Sequence, residues 1–319
     1  MATIGYHASH EQFSPSEMLE CVRAAERAGF AAAMCSDHFA PWSERQGHSG
    51  FAWSWLGAAL QATSLPFGVV NAPGDRYHPA IVAQAAATLA EMFPGRFWVA
   101  LGSGQAINEH ITGERWPSKA ERNARLKECI DVIRALWAGE TVTHHGRIHV
   151  EEARLWTLPE LPPRIIGPAL SEETARFVGG WADGFITVNA PAEQLQKLVD
   201  AFRRGGGEGK PLYLQCHLSY AGTDAEARAN AYDQWREPIL PAIVNENLCT
   251  PRQLEEAARF VRAEDLNSHV RISADVERHL EWLRGDLALG FEHIYLHNVG
   301  RNQREFIEVF AERVLPALA

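Results

Sequence analysis

Three short stretches of this chain carry residues that can move a proton or hold a flat ring. The first is Cys35-Ser36-Asp37-His38-Phe39-Ala40-Pro41-Trp42, which sets an acid, an imidazole and an indole within a few residues. A histidine oriented by a carboxylate exchanges a proton near neutral pH. His38 is therefore a candidate acid/base and Asp37 its candidate orienter, while Trp42 can stack on an aromatic ring. The same Asp-His pair is also what an ordinary hydrogen-bonded turn carries. The second stretch is Gly102-Ser103-Gly104-Gln105-Ala106-Ile107-Asn108-Glu109. Its glycines let backbone N–H groups come close to a ring or a phosphate. Asn108 can anchor a polar cofactor edge or simply cap a helix. The third is His297-Asn298, a polar pair closing an apolar run.

The elements that must position these residues alternate. Strands are expected at Thr3–Ala8, Phe30–Ser36, Pro66–Asn71, Arg96–Leu101, Arg164–Gly167, Gly184–Val188, Leu212–Tyr220 and His293–Asn298. Helical patterns follow each of them, with Pro15 and Pro79 opening two. Lys119–Ala138 is amphipathic, Thr141–Val150 reads as a hairpin, Pro238–Ala263 as a helical insertion, and Arg304–Leu318 as the last helix. Eight strand-helix units close naturally into a single (β/α)8 TIM barrel over residues 1–319, with insertions. The three polar stretches each follow a strand, so they gather on the C-terminal rim, where barrel chemistry is done. By position His297 faces that rim as a substrate contact, and His293 belongs to the core. The run Gly205-Gly206-Gly207-Glu208-Gly209 precedes a strand and is a turn, not a phosphate loop.

Composition narrows the partners. The chain has 319 residues, 40 acidic against 30 basic, for a formal net charge of −10. That balance argues against nucleic acid or an anionic membrane, and no apolar run approaches a membrane span. Five scattered cysteines without a Cys-x-x-Cys suggest reduced thiols and a cytoplasmic protein. Fourteen histidines are present, but none are grouped at zinc spacing with a carboxylate, so no metal is expected.

With these residues in view, the chain resembles the luciferase-like flavin/deazaflavin oxidoreductases, and among them the branch of deazaflavin-dependent glucose-6-phosphate dehydrogenases. The similar segments are Tyr6–Pro15, Ser36–Trp42, Gly47–Phe51, Arg76-Tyr77 with Pro79-Ala80, Gly102–Glu109, Ala182–Phe185 and Asn302–Phe306. The resemblance implies the barrel fold, a homodimer and a small-molecule substrate. It implies that Asp37 contacts an isoalloxazine-type ring, that His38 exchanges a proton with the substrate hydroxyl, and that Trp42 borders the site. Val69-Val70 would form a non-prolyl cis peptide behind the ring. Ala72, Ser103, Gly104 and Asn108 would contact the cofactor, and Ala169-Leu170-Ser171 through Thr174 would take its phosphate at a helix N-terminus.

The departures from that family pattern are specific. Gln105 stands where the dehydrogenases carry a catalytic Glu, and an amide has no proton to exchange. Leu170-Ser171 replace paired glycines, and the sugar-phosphate lysine falls near Ala190-Pro191. The reading is thus hydride transfer on FMN, with coenzyme F-420 as the alternative cofactor and glucose 6-phosphate disfavoured as substrate. An FMN monooxygenase, a metal-dependent hydrolase using His38 and Asp37, and a non-catalytic flavin binder are the other readings.

Overall fold

The computed structural model describes residues 2–318. In chain order its first half contains β1 (Thr3–Ala8), α1 (Pro15–Arg27), β2 (Ala32–Ser36), α2 (Ala52–Ala62), β3 (Phe67–Asn71), α3 (Pro79–Met92), β4 (Phe97–Leu101), the short α4 (Ala106–Glu109) and α5 (Lys119–Trp137). A hairpin, β5 (Val142–His145) and β6 (His149–Ala153), stands outside the alternation. Then come β7 (Arg164–Pro168), α6 (Glu172–Gly179), β8 (Gly184–Val188), α7 (Ala192–Phe202), β9 (Leu212–Ser219) and α8 (Asp224–Trp235). The insertion holds α9 (Ala242–Asn245) and α10 (Pro251–Ala257), followed by β10 (Arg271–Ile272), α11 (Val276–Ala288), β11 (His293–Asn298), α12 (Gln303–Arg313) and α13 (Leu315–Leu318).

Eight parallel strands close in the order β1-β2-β3-β4-β7-β8-β9-β11, with β11 returning to β1. The two-residue β10 adds to the end of β9. This is the (β/α)8 barrel expected from the sequence. Local chemistry fixes its helix starts. Ser14 with Glu17, and Ser118 with Glu121, form reciprocal capping boxes at α1 and α5. The last helix does not run unbroken: it stops at Arg313 and resumes as α13, because Pro316 brings no N–H to an intrahelical bond.

Strand parity sorts the core. One side of the strands packs on the helices, and the other fills the barrel. Ala32, Met34, Trp98, Ala100, Ile166, Ile186, Tyr213 and Tyr295 form this inner plug. Gly68 makes room for it, since a Cβ there would lie 1.9 Å from the Trp98 ring. Trp98 Nε1 donates to the Tyr295 hydroxyl at 3.2 Å, so the indole is satisfied inside the apolar plug. His293 is not in the core as expected. It sits half-buried beside the plug, stacked on Tyr213 with centroids 4.3 Å apart. Above the plug, toward the C-terminal ends, the inward residues turn polar.

Candidate active site

The loop after β1 supplies the residue that sequence reasoning missed. Glu11 is buried, with Oε1 accepting from the Ser36 hydroxyl at 2.5 Å and Oε2 from the Ser9 hydroxyl at 2.8 Å. Its Oε1 also faces His38 Nδ1 at 3.5 Å. Burial alone would raise the Glu11 carboxyl. The facing His38, the Ser36 hydroxyl and His7 outweigh it and hold the carboxyl down to about 2. Trp42 also packs beside His38, its ring 4.9 Å away centroid to centroid. The loop carrying both is pinned: the Ser49 hydroxyl donates to the His38 carbonyl at 2.7 Å, and Arg45 pairs with Glu237 and Glu255 of the insertion region. The signal that could have exposed Glu11 is its place, a carboxylate just past the first barrel strand.

Asp37 is therefore not the orienter of His38. Its Oδ2 accepts from Asn71 Nδ2 at 2.6 Å, its Oδ1 from the Tyr77 hydroxyl at 3.3 Å, and Arg76 stands 3.5 Å from Oδ2. The reason is strand parity: Ser36 and His38 lie on one side of the chain and Asp37 on the other. Asp37 looks toward β3, into a second network that includes Glu109. There the Arg76 N–H donates to Glu109 Oε2 at 2.8 Å. Burial pushes the Glu109 carboxyl up to about 7 even though Arg76 opposes the shift.

The loop after β4 adjoins this network. Asn108 is buried and its Oδ1 accepts the Phe39 N–H at 2.9 Å, so it ties the β4 loop to the β2 loop. Gly104 has φ +79°, a conformation that favours glycine. A Cβ there would lie 3.1 Å from Glu109 Cγ and 3.5 Å from Ala72 Cβ, and one on Gly102 would lie 3.3 Å from Pro168 Cγ. Gly102 and Gly104 thus form a wall of bare backbone packed closely against Glu109, Ala72 and Pro168. Gln105 heads α4, its carbonyl accepting the Asn108 and Glu109 N–H groups. The Ser103 hydroxyl accepts from Lys119 Nζ at 2.9 Å.

Three expectations meet the geometry differently. The Val69–Val70 peptide is trans, since no cis peptide bond occurs among the described residues. Both valines stay in register with Cys35 and Ser36, and Val69 is core. At the start of α6, Ser171 caps its own helix by accepting the Thr174 N–H, Glu172 and Glu173 occupy the first turn, and Leu170 is exposed while Ala169 is buried. One donor is taken and two carboxylates stand where an anion was expected. His297 does not open onto the rim as a free substrate contact. It is buried in an inward layer, opposite His217 in register and 4.3 Å from His7 by ring centroids. Its Nε2 lies 3.1 Å from Gln12 Oε1, and Trp235 packs edge-on at 4.6 Å. Among the described residues no group of three or more His, Cys, Asp or Glu side chains could hold a metal, and no helix is long and apolar enough to cross a membrane.

Known proteins share this arrangement of chain. The family profile described as luciferase-like monooxygenase matches residues 1–293. An F420-dependent glucose-6-phosphate dehydrogenase of Segniliparus rotundus is 35% identical over 99% of this chain and 97% of its own. One from Mycobacterium tuberculosis is 33% identical, over 99% and 97%. A solved F420-dependent secondary alcohol dehydrogenase, in complex with an F420-acetone adduct, superposes with a TM-score of 0.93 at 30% identity, over 100% of this chain and 99% of that one. The chain belongs to the luciferase-like monooxygenase family, and within it is an oxidoreductase.

Proposed function

We propose that this chain is a coenzyme F-420-dependent dehydrogenase that oxidises a small, uncharged secondary alcohol. The FMN preference drawn from the sequence gives way here, because relatives at 33–35% identity and a structural neighbour at 30% are all named for F420. The single observation that carries the reading is the pairing of buried Glu11 with half-buried His38 beside Trp42 at the barrel's C-terminal end. The Gly102–Gly104 wall, with Ala72 and Asn108 beside it, would hold the ring. The bound deazaflavin supplies the hydride acceptor.

The chain's own residues handle the proton. His38 takes the proton of the substrate hydroxyl as the carbon loses its hydride, so an alcohol becomes a ketone with atoms and charge balanced. Glu11 holds the imidazole in place and stabilises the charge it gains. Gln105 offers an amide where a carboxylic acid would titrate, which leaves the proton to His38 alone. Asp37, fixed by Asn71 and Tyr77, stands at the side of the site facing β3.

The alcohol is uncharged in this reading because no lysine follows β8, where the resemblance places the sugar-phosphate contact. Ala190 and Pro191 follow β8, and Arg271 is engaged by Asp286 at 2.8 Å. The test is a titration of the apo protein with F-420 and with FMN by fluorescence, then bleaching of F-420 by isopropanol or by glucose 6-phosphate. F-420 binding and turnover with the alcohol support the reading. FMN binding alone overturns the cofactor, and turnover confined to glucose 6-phosphate overturns the substrate.

A further inference from the structure

A chain of hydrogen bonds crosses the inward histidine layer, and its direction is fixed at one end. Gln12 Nε2 donates to the Val299 carbonyl at 2.7 Å and to Gln234 Oε1 at 3.1 Å. A carbonyl only accepts, so the amide of Gln12 is left with Oε1 as its acceptor end. That oxygen takes His297 Nε2 at 3.1 Å, which makes Nε2 the protonated nitrogen of the ring. Burial pushes His297 well below 6.5 and His217 down to about 3, so at neutral pH each ring carries a single N–H. His297 Nδ1 is then an acceptor, and it faces Gln215 Nε2 at 3.5 Å. The same Gln215 amide nitrogen donates to His217 Nε2 at 3.1 Å. The one proton of His217 therefore sits on Nδ1.

That Nδ1–H has no partner among the described residues, and it is not sealed in. Tyr213, Gln215 and His217 lie on the inward side of β9. Tyr213 belongs to the plug, while Gln215 and His217 above it keep partial exposure. An inward residue of a filled barrel reaches solvent through the open end, here the C-terminal mouth where His38 also stands. β11 and β1 separate β9 from β2, so the two imidazoles face the mouth from different sides. Trp235 packs beside the His217 ring at 4.9 Å, and Asn189 Oδ1 accepts its backbone N–H at 2.7 Å. We propose that His217 is a specificity-determining substrate contact, its Nδ1–H donating to a second, uncharged oxygen of the alcohol whose hydroxyl gives its proton to His38. The inference rests on the alcohol reading and narrows it to alcohols that carry a further ether, hydroxyl or carbonyl oxygen.

One arm of the experiment reads the proton itself. Long-range proton–nitrogen spectra of protein labelled with nitrogen-15 histidine, with His217 assigned by the loss of its signals in His217→Asn, should show the Nδ1–H tautomer at neutral pH. An Nε2–H tautomer or a charged ring overturns the inference whatever the substrate. The other arm compares alcohols that differ by an oxygen in place of a methylene: 1-methoxy-2-propanol against 2-pentanol, and 4-methoxy-2-butanol against 2-hexanol, by bleaching of F-420. An ether oxygen only accepts, so it reads the donor alone. Wild type should prefer the ether in at least one pair by about tenfold in kcat/KM, the upper range for one net hydrogen bond. His217→Phe, and His217→Gln, whose amide falls at the Nε2 position, should abolish that preference. His217→Asn, whose amide falls at the Nδ1 position, should keep most of it. Equal kcat/KM within both pairs in wild type, or a preference that survives His217→Phe or His217→Gln, overturns the contact and leaves the dehydrogenase reading standing. No bleaching with any of the four alcohols removes the alcohol reading and the contact with it.

Discussion

Glu11 Oε1 lies 3.5 Å from His38 Nδ1, so the carboxylate facing the candidate base comes from the loop after β1, not from the neighbouring Asp37. This divides the two acids by role. Glu11 serves the imidazole, and Asp37 is committed to Asn71, Tyr77 and Arg76.

His38→Asn removes the proposed base and is expected to lower turnover by about 10²–10⁴-fold with F-420 binding retained, the range of general acid–base catalysis. Glu11→Gln keeps the shape and loses the charge. It is expected to lower kcat by roughly tenfold, equivalent to about 1.4 kcal/mol of transition-state stabilisation, and to move the pH-rate profile. An Asp37→Asn variant with the same pH shift as Glu11→Gln would reverse the assignment. Steady-state rates across pH decide it.

Acid should unfold this protein in a recognisable window. Burial lowers His7, His10 and His279 to about 4 and His217 to about 3, and pushes His297 well below its ordinary 6.5. Unfolded, each binds a proton near 6.5; folded, each resists until much lower pH. Stability is therefore present above pH 6.5 and falls as pH drops toward 4, by on the order of 3 kcal/mol for each imidazole moved that far. Glu11 adds a second loss below 4.5, where its unfolded form takes a proton and its folded form does not until about 2. Denaturant midpoints at pH 8, 6 and 5 measure the first window. His297→Gln should flatten it, and equal slopes in wild type and variant would show that the inner histidines do not set it.

Asn108→Ala leaves the Phe39 N–H without its partner and unties two rim loops. The expected cost is about 0.5–1.5 kcal/mol, that of one net hydrogen bond, with weaker F-420 binding. Urea unfolding and fluorescence titration read the two effects separately.

Gly104→Ala forces a side chain into φ +79° and sets its Cβ 3.1 Å from Glu109 Cγ. The left-handed conformation costs about 1–2 kcal/mol, and the added methyl stands on the wall proposed for the ring. The variant should melt lower and bind F-420 more weakly. Wild-type affinity for F-420 would place the ring elsewhere.

The barrel was legible because its signals are local. Apolar runs of strand length alternate with helical spacing, and Ser14-Pro15 and Ser118 mark helix starts by hydrogen bonds that reach only three residues. The rim position of His38, Trp42 and the Gly102–Gly104 loop followed from chain order alone, since every βα loop of such a barrel opens at one end. Which side chain faces which was decided only in three dimensions. Strand parity turned Asp37 away from His38, and closure of β11 onto β1 and β9 brought His7, His217 and His297 into one inward layer. Glu11 and His38 are 27 residues apart in the chain, and Gln12 and His297 still further. Contacts like these depend on register and loop course, which no local pattern encodes, so the sequence determined the barrel and its chemical rim, and the tertiary structure chose the partners.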